Sequence, residues 1–290
     1  MKKLIILISV YNDWKSISKL LREIDLQVID WESEVSLLVV NDASTEKRMN
    51  MDLNFKKIKS VKILNMKKNR GHSRCFAAGL KFIIEREKFD YVIPMDGDGE
   101  DRPEELNLLF NKSKEYPNRV ITADRIKRSE GKIFKLCYEI HKYLTYIFTG
   151  HLIKFGNYTC LPRDSVSKMV GEPSVWSSFS GSLAKLISDR ISISSIKGLR
   201  YHGPSKMSFF KLLIHSISII AVFKKITFVR SFIFLSVYLF LISQSLSFIT
   251  LLPVFFIIIL LLMIVWVSNR ENLNQFKKSL DNISSIDIFN

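Results

Sequence analysis

Residues 92–105 read Val92-Ile93-Pro94-Met95-Asp96-Gly97-Asp98-Gly99-Glu100-Asp101-Arg102-Pro103-Glu104-Glu105. A short apolar strand, Tyr91 to Met95, runs into two carboxylates, Asp96 and Asp98, separated by one glycine. Glu100 and Asp101 follow, and Pro103 with Glu104 and Glu105 reads as the first turn of a helix, where a missing proline N–H costs nothing. Oxygen ligands at the carboxyl end of a strand, with glycines that let the backbone approach closely, suit a hard divalent ion that also holds phosphates. Strand ends are also where open α/β sheets bind ligands. A solvated acidic turn before a capped helix is the simpler reading of an isolated D-x-D. Here the strand, the glycines and the helix start agree, and a metal–diphosphate site is the preferred reading.

Outward from this stretch the pattern alternates. Strands are expected at Lys3 to Val10, Val35 to Val40, Val61 to Leu64, Tyr91 to Met95 and Val120 to Thr122, and helices at Ser16 to Asp25 and Ser73 to Glu87. Continuous apolar strands alternating with helices predict a mostly parallel, Rossmann-like α/β sheet covered on both faces. Polar residues follow the strands: Asn12-Asp13, Asn41-Asp42, Asn69 to Gly71, and Asp96 with Asp98. One sheet edge would gather them into a nucleotide-sized crevice. Residues 125–150 read as a basic, aromatic-rich helical stretch, and residues 155–200 as irregular chain.

The formal charge of the 290 residues is +15, yet 47% of them are hydrophobic. Phe, Ile and Leu crowd the last third, and Asp and Glu the first, which suits a soluble front and a membrane-bound rear better than a nucleic-acid binder. Cys75, Cys137 and Cys160 are far apart and form no C-x-x-C, so they read as reduced thiols, not as a disulfide set or zinc site. The apolar run after Lys2-Lys3 is followed by Tyr11-Asn12-Asp13-Trp14, not by a small-residue cleavage site, so it reads as a buried first strand.

Ser208 to Lys225 reads as an amphipathic helix for a bilayer interface. Phe228 to Phe248 and Thr250 to Val267 then form two apolar stretches, each able to cross a roughly 30 Å hydrocarbon core at about 1.5 Å per residue. Ser243-Gln244-Ser245 and Pro253 mark the expected reversal. Lys224, Lys225 and Arg230 precede the pair, and Arg270, Lys277 and Lys278 follow it. The positive-inside rule gives a hairpin in the plasma membrane with the catalytic domain and both ends cytosolic. The expected domains are 1–205 catalytic, 206–226 juxtamembrane, 227–268 transmembrane and 269–290 a cytosolic tail.

The front half resembles the family 2 glycosyltransferases with the GT-A fold, and the whole chain resembles their polyprenyl-phosphate branch. The family's Y-N-E stands here as Tyr11-Asn12-Asp13, and its D-D-G-S-T-D as Asn41-Asp42-Ala43-Ser44-Thr45-Glu46. Asn69-Arg70-Gly71 with Ala77-Ala78-Gly79-Leu80 resembles the N-x-G…A-x-x-x-G-L run, and D-A-D-L-Q-D-P-P-E stands as Asp96 through Glu104. Four such motifs in register are specific where one would not be. Asp124 to Arg128 with Gly131 resembles the family's arginine-rich loop, and Arg200 through Gly203-Pro204-Ser205-Lys206-Met207-Ser208 resembles its R…G-x-S-K-x-S stretch.

The resemblance implies an inverting transfer of a sugar from a UDP- or GDP-sugar donor. Tyr11, Asn12, Asp13, Asp42, Asn69, Gly71 and Asp96 are then expected at the donor, and Asp98 with Glu100 at Mg²⁺ or Mn²⁺. Asp96, Asp98, Arg125 and Arg128 are the expected catalytic set, with guanidiniums suited to phosphate oxygens. Lys132, Arg200, Ser205 and Lys206 are expected at the acceptor or its phosphate. Hydroxyl-acceptor relatives often carry a Glu-Asp pair as base; between 165 and 200 only the separated Glu172 and Asp189 occur, and Asn157 stands where relatives often carry an acid. That gap and the membrane hairpin favour polyprenyl phosphate over the hydroxyl of a lipid-linked saccharide. A processive synthase would need Q-x-x-R-W, and a noncatalytic scaffold would be expected to lose Asp96 and Asp98. Membrane relatives often assemble, which leaves a homo-oligomer open.

Overall fold

The computed structural model describes residues 1–49, 54–127, 132–204 and 209–289. In chain order the elements are β1 (Lys3–Val10), α1 (Trp14–Gln27), β2 (Glu34–Asn41), β3 (Ile58–Met66), α2 (His72–Arg86) and β4 (Tyr91–Asp96). Then come α3 (Leu106–Glu115), β5 (Val120–Lys127), α4 (Lys132–Thr149), β6 (Phe155–Pro162), α5 (Arg163–Gly171), α6 (Phe179–Leu186) and β7 (Arg190–Ile196). The chain continues through α7 (Phe209–Ala221), α8 (Lys224–Ile242), α9 (Phe248–Ser268) and α10 (Leu273–Lys277) to β8 (Ile283–Phe289).

The strands form one sheet in the order β7-β5-β6-β4-β1-β2-β3-β8. β1 to β4 are mutually parallel, β5 and β7 pair in parallel, and β6 is antiparallel to both β4 and β5. Among the described strands, only β6 and β8 therefore run against the rest, the latter antiparallel to β3. The carboxyl ends of β1, β2, β4, β5 and β7 lie along one edge, together with the amino end of β6.

Burial explains the continuous apolar strands. Leu4, Ile6, Ile8 and Val10 face a core shared with Ile17, Leu20 and Ile24 of α1 and Leu106 and Phe110 of α3. Ile5 and Leu7 face the opposite core, with Phe76 and Leu80 of α2, Val166 of α5 and Phe179 of α6. With no solvent side, such a strand shows no polar alternation. Each fully buried aliphatic side chain contributes about 1.5–3 kcal/mol. Gly79 lets α2 lie close on this sheet: a Cβ there would stand 2.4 Å from Leu7 Cδ1 and 3.2 Å from Val40 Cγ2.

Two regions differ from the sequence expectation. Residues 155–200 are not irregular; they supply β6, α5, α6 and the edge strand β7. Residues 269–290 do not form a separate tail: α10 and β8 return to the sheet, and β8 covers the edge of β3. Both edge strands carry short, interrupted apolar patterns, which gives periodicity little to detect.

α8 and α9, of 19 and 21 residues, are long and apolar enough to cross a membrane. Phe232, Phe240, Leu241, Phe248 and Ile249 are among their exposed side chains. The reversal lies between Ile242 and Phe248, where Ser247 and Thr250 form a capping box; Pro253 falls inside α9, not at the turn. The outer ends are joined by Lys224 Nζ and Glu271 Oε2 at 3.2 Å. α7 does not present all of its apolar face outward: Ile217, Ile220 and Ala221 pack with Phe148 of α4 and Ile257, Leu260 and Ile264 of α9.

Candidate active site

The carboxyl edge of the sheet brings the sequence-predicted residues together. After β2, Asp42 is 4% exposed and accepts from the backbone N–H groups of Arg70 and Gly71, both at 2.8 Å. This fixes the Asn69–Gly71 turn before α2. Asn12, at φ 50°, clasps the neighbouring loop: its Oδ1 accepts from Thr45 N at 2.8 Å and Glu46 N at 3.1 Å. Tyr11 remains exposed beside it.

The D-x-D turn is held from below by Asp101, 3% exposed, whose Oδ2 accepts from Asp96 N at 2.8 Å. Its Oδ1 accepts from Arg125 Nη2 at 2.9 Å, and the same guanidinium nitrogen lies 3.8 Å from Asp96 Oδ2. Burial alone would raise the Asp96 carboxyl. The charge and hydrogen bond of His72, then Arg125 and Asn157, instead hold it well below the usual carboxylate range. Asp101 moves the other way, raised by burial and by the Asp96 charge against the pull of Arg125.

Asp98 is raised to about 6 by burial and by the neighbouring Asp96 and Glu100 charges, partly opposed by the Glu100 N–H and Arg200. Arg200 pairs with its Oδ2 and also with Asp13 Oδ2, the latter at 2.6 Å. Lys197 pairs with Glu100 Oε2 at 2.8 Å. Both cations belong to the loop after β7. Backbone bonds seat this loop on the acidic turn: Gly198 N donates to Glu100 O at 2.8 Å, and Tyr201 N to Asp98 O at 2.9 Å. Gly99, at φ 88°, permits the approach, since a Cβ there would meet the Tyr201 ring at 2.5 Å. Glu105 anchors the end of β7 by accepting from Ser195 Oγ at 2.6 Å and Ile196 N at 2.9 Å.

Among the described residues no three His, Cys, Asp or Glu side chains form a ready metal cage. Asp98 and Glu100 nevertheless fit an ion whose remaining ligands are phosphate oxygens and water, the usual arrangement for Mg²⁺. The raised electrostatic cost of Asp98, countered here by Arg200, is what a bound cation would relieve, and Glu100 pairs with Lys197 beside it.

Arg128, Ser205 and Lys206 lie outside the described residues, and Lys132 begins α4. Glu172 and Asp189 stand away from the cluster, paired with Lys185 and Arg119 respectively. Sequence reasoning missed His72, which contacts Asp96, and placed Arg200 at the acceptor without foreseeing its pairing with Asp13 and Asp98. The position of His72 directly after the Asn69–Gly71 motif was the available signal.

The family model described as glycosyl transferase family 2 matches residues 5–162, more than half of the chain. The chain belongs to this family. Among solved structures, glucosyl-3-phosphoglycerate synthase from Mycobacterium tuberculosis, in complex with Mn²⁺, UDP-glucose and phosphoglyceric acid, is similar in fold with a TM-score of 0.54. The two chains are 14% identical over 78% of this chain and 80% of that one. TarS residues 1–349 of S. aureus, in complex with UDP-GlcNAc, give a TM-score of 0.50 and 16% identity over 77% of this chain and 66% of that one. An uncharacterized protein of Methanocaldococcus jannaschii, MJ0544, is 29% identical over 111 residues. That match covers 38% of this chain and 46% of the relative, under half of its length.

Proposed function

We propose that this family 2 chain is a membrane-bound, inverting glycosyltransferase that moves a sugar from a nucleotide-sugar to a polyprenyl phosphate. The observation that carries the reading is the physical link between the acidic turn and the apolar hairpin. Arg200 and Lys197 grip Asp98 and Glu100 from the loop after β7, α7 is the next described helix in the sequence, and α7 packs on α9. A donor site joined so directly to such helices suits an acceptor whose tail lies in the bilayer and whose phosphate lies at its surface.

The donor would occupy the crevice framed by Tyr11, Asn12, Asp13, Asp42 and the Asn69–Gly71 turn. The solved relatives hold UDP-sugars, and one holds Mn²⁺, which supports a UDP- or GDP-sugar with Mg²⁺ or Mn²⁺. Asp98 and Glu100 would hold that ion, which when bound neutralises charge growing on the leaving diphosphate. Arg125 is fixed by Asp101 and keeps its positive charge beside Asp96, where it favours negative charge on a ligand. Asp96, kept ionised by His72 and Arg125, suits a hydrogen bond from a sugar or ribose hydroxyl.

In the transfer itself the bond from the anomeric carbon to the diphosphate oxygen breaks, and its electron pair leaves with the nucleoside diphosphate. An oxygen of the acceptor phosphate forms the new bond from the opposite face, which inverts the anomeric centre. A phosphomonoester with a second pKa of about 6 is already largely ionised near neutral pH and needs no strong base. The engagement of Glu172 and Asp189 elsewhere is in keeping with that chemistry.

The test is to incubate membranes carrying the protein with Mg²⁺ or Mn²⁺, undecaprenyl phosphate and a panel of labelled UDP- and GDP-sugars, then extract lipid. Label in a mild-acid-labile lipid is the expected result. Transfer only when a lipid-linked saccharide is supplied would move the acceptor to a hydroxyl.

A further inference from the structure

Side chains from two elements converge on one oxygen of the acidic turn, and a third element braces one of them. His72, the first residue of α2, points its Nε2 at Asp96 Oδ1 of β4 at 3.2 Å. Asn157 of β6 donates from Nδ2 to the same Oδ1 at 3.2 Å and lies 2.8 Å from His72 Nε2. The other ring nitrogen, Nδ1, meets Ser9 Oγ of β1 at 2.8 Å. Asp96 Oδ2 is left toward Arg125, 3.8 Å away.

A histidine that merely fills space has little reason to commit both ring nitrogens to side chains of a polar cluster. Here the ring edge packs against Phe76, with centroids 4.7 Å apart and planes at 89°, and that contact leaves both nitrogens free to reach the sheet edge. A carboxylate gripped at one oxygen from two directions loses its freedom to rotate, and the second oxygen keeps a fixed direction. The half-buried imidazole adds a second polar partner to this desolvated carboxylate beside the Asn157 amide.

We propose that His72, braced by Ser9 and assisted by Asn157, is a positioning residue that fixes the Asp96 carboxylate for the donor sugar. The role deepens the transfer reading above and rests on it. His72 does not touch the acceptor or the leaving group in this role; it acts through Asp96. Replacing it therefore disturbs turnover more than donor affinity, because a misdirected carboxylate still lies in the crevice.

The experiment uses the full chain in detergent micelles, with donor binding measured by calorimetry and turnover measured as nucleoside diphosphate release. His72→Ala is expected to lower kcat about 10- to 100-fold, the scale of a small misplacement of a reacting group, with donor Kd changed less than about threefold. His72→Gln, whose amide can donate to Asp96 and accept from Ser9, should recover a substantial part of that loss. His72→Ala combined with Asn157→Ala should lose less than the product of the single effects. Turnover within twofold of the original in His72→Ala overturns the proposal. So does a parallel loss of kcat and donor affinity that Gln does not rescue.

A second readout needs no turnover and separates this proposal from the transfer reading. In ¹⁵N-histidine-labelled protein, Asp96→Asn should shift the ring-nitrogen resonances of His72. Unchanged resonances overturn the contact itself, whereas shifted resonances in a protein that transfers no sugar contradict the transfer reading instead.

Discussion

Arg200 and Asp98 are ion-paired although 102 residues separate them in sequence, and the same guanidinium holds Asp13 at 2.6 Å. One side chain thereby ties the turn after β1, the acidic turn after β4 and the loop after β7. Arginine suits this bridge because its planar fork presents separate N–H groups to two carboxylates. Arg200→Lys keeps the charge but not the fork, and is expected to lower kcat/KM for the donor more than about tenfold. Initial rates against donor concentration check this; rates within twofold would show that the bridge is dispensable.

Asp98→Asn should abolish transfer, by at least about 100-fold, if charge at this position stabilises the departing diphosphate. Glu100→Gln should weaken the dependence on Mn²⁺ before it lowers the saturated rate. Chelation should silence the original protein, and added Mn²⁺ or Mg²⁺ should restore it. Activity that survives both chelation and Asp98→Asn contradicts the assignment of Asp98 and Glu100 to a cation.

The acidic turn also sets a pH dependence of stability for the metal-free protein. Asp98 is raised to about 6 and Asp101 is raised in the same direction, so between their ordinary range and those values the native state binds more protons than the unfolded chain. His72, raised above its ordinary value, continues the same sign at higher pH. Asp96, held low, acts oppositely but only below the usual carboxylate range. This cluster's contribution is therefore present near pH 4 and lost as pH rises through the raised values, so stability should fall between about pH 4 and about pH 7, with His72 extending the fall in the same direction. Melting temperatures across that window check it, and Asp98→Asn should flatten the lower half. A flat profile, or one that rises with pH, contradicts the electrostatics described.

β8 makes a separate prediction. Its ladder with β3 runs from Val61–Phe289 to Met66–Ile283, and Asp287 also pairs with Arg48 and accepts from Asn65 Nδ2 at 3.1 Å. Deleting 283–289 should cost several kcal/mol, at about 1 kcal/mol per ladder bond, and should promote association through the bared edge of β3. Asp287→Ala should cost less than about 1 kcal/mol, as partly exposed pairs do. Denaturation and light scattering on both variants separate strand pairing from the ion pair.

The strands that were legible in the sequence are those buried on both faces. In β1, both Ile6 and Leu7 are fully buried, so the run from Leu4 to Ile8 reads apolar throughout. β7 and β8 were hidden because an edge strand alternates and is partly exposed, as at Ile286 and Ile288. Asn12, Asp42, Gly71, Asp96 and Asp98 stand at the carboxyl edge, since strand ends fix their height. Their partners were not legible. His72 meets Asp96 only because α2 begins beside β4 across β1, and Arg200 meets Asp98 only through the path of the loop after β7. Asp42 is expected at the donor, and its oxygens also accept from the Arg70 and Gly71 amides, a pairing the sequence did not show. Such pairings depend on tertiary approach, not on spacing along the chain.

The acceptor is defined by which bond is made. The decisive measurement is the intact mass, before and after mild acid, of undecaprenyl phosphate incubated with purified protein, metal and the donor that yields lipid label. A lipid heavier by one glycosyl residue, still a monophosphate and returned to its starting mass by mild acid, is the predicted result. An unchanged lipid alongside sugar attached to a saccharide hydroxyl, or a lipid diphosphate, would contradict it.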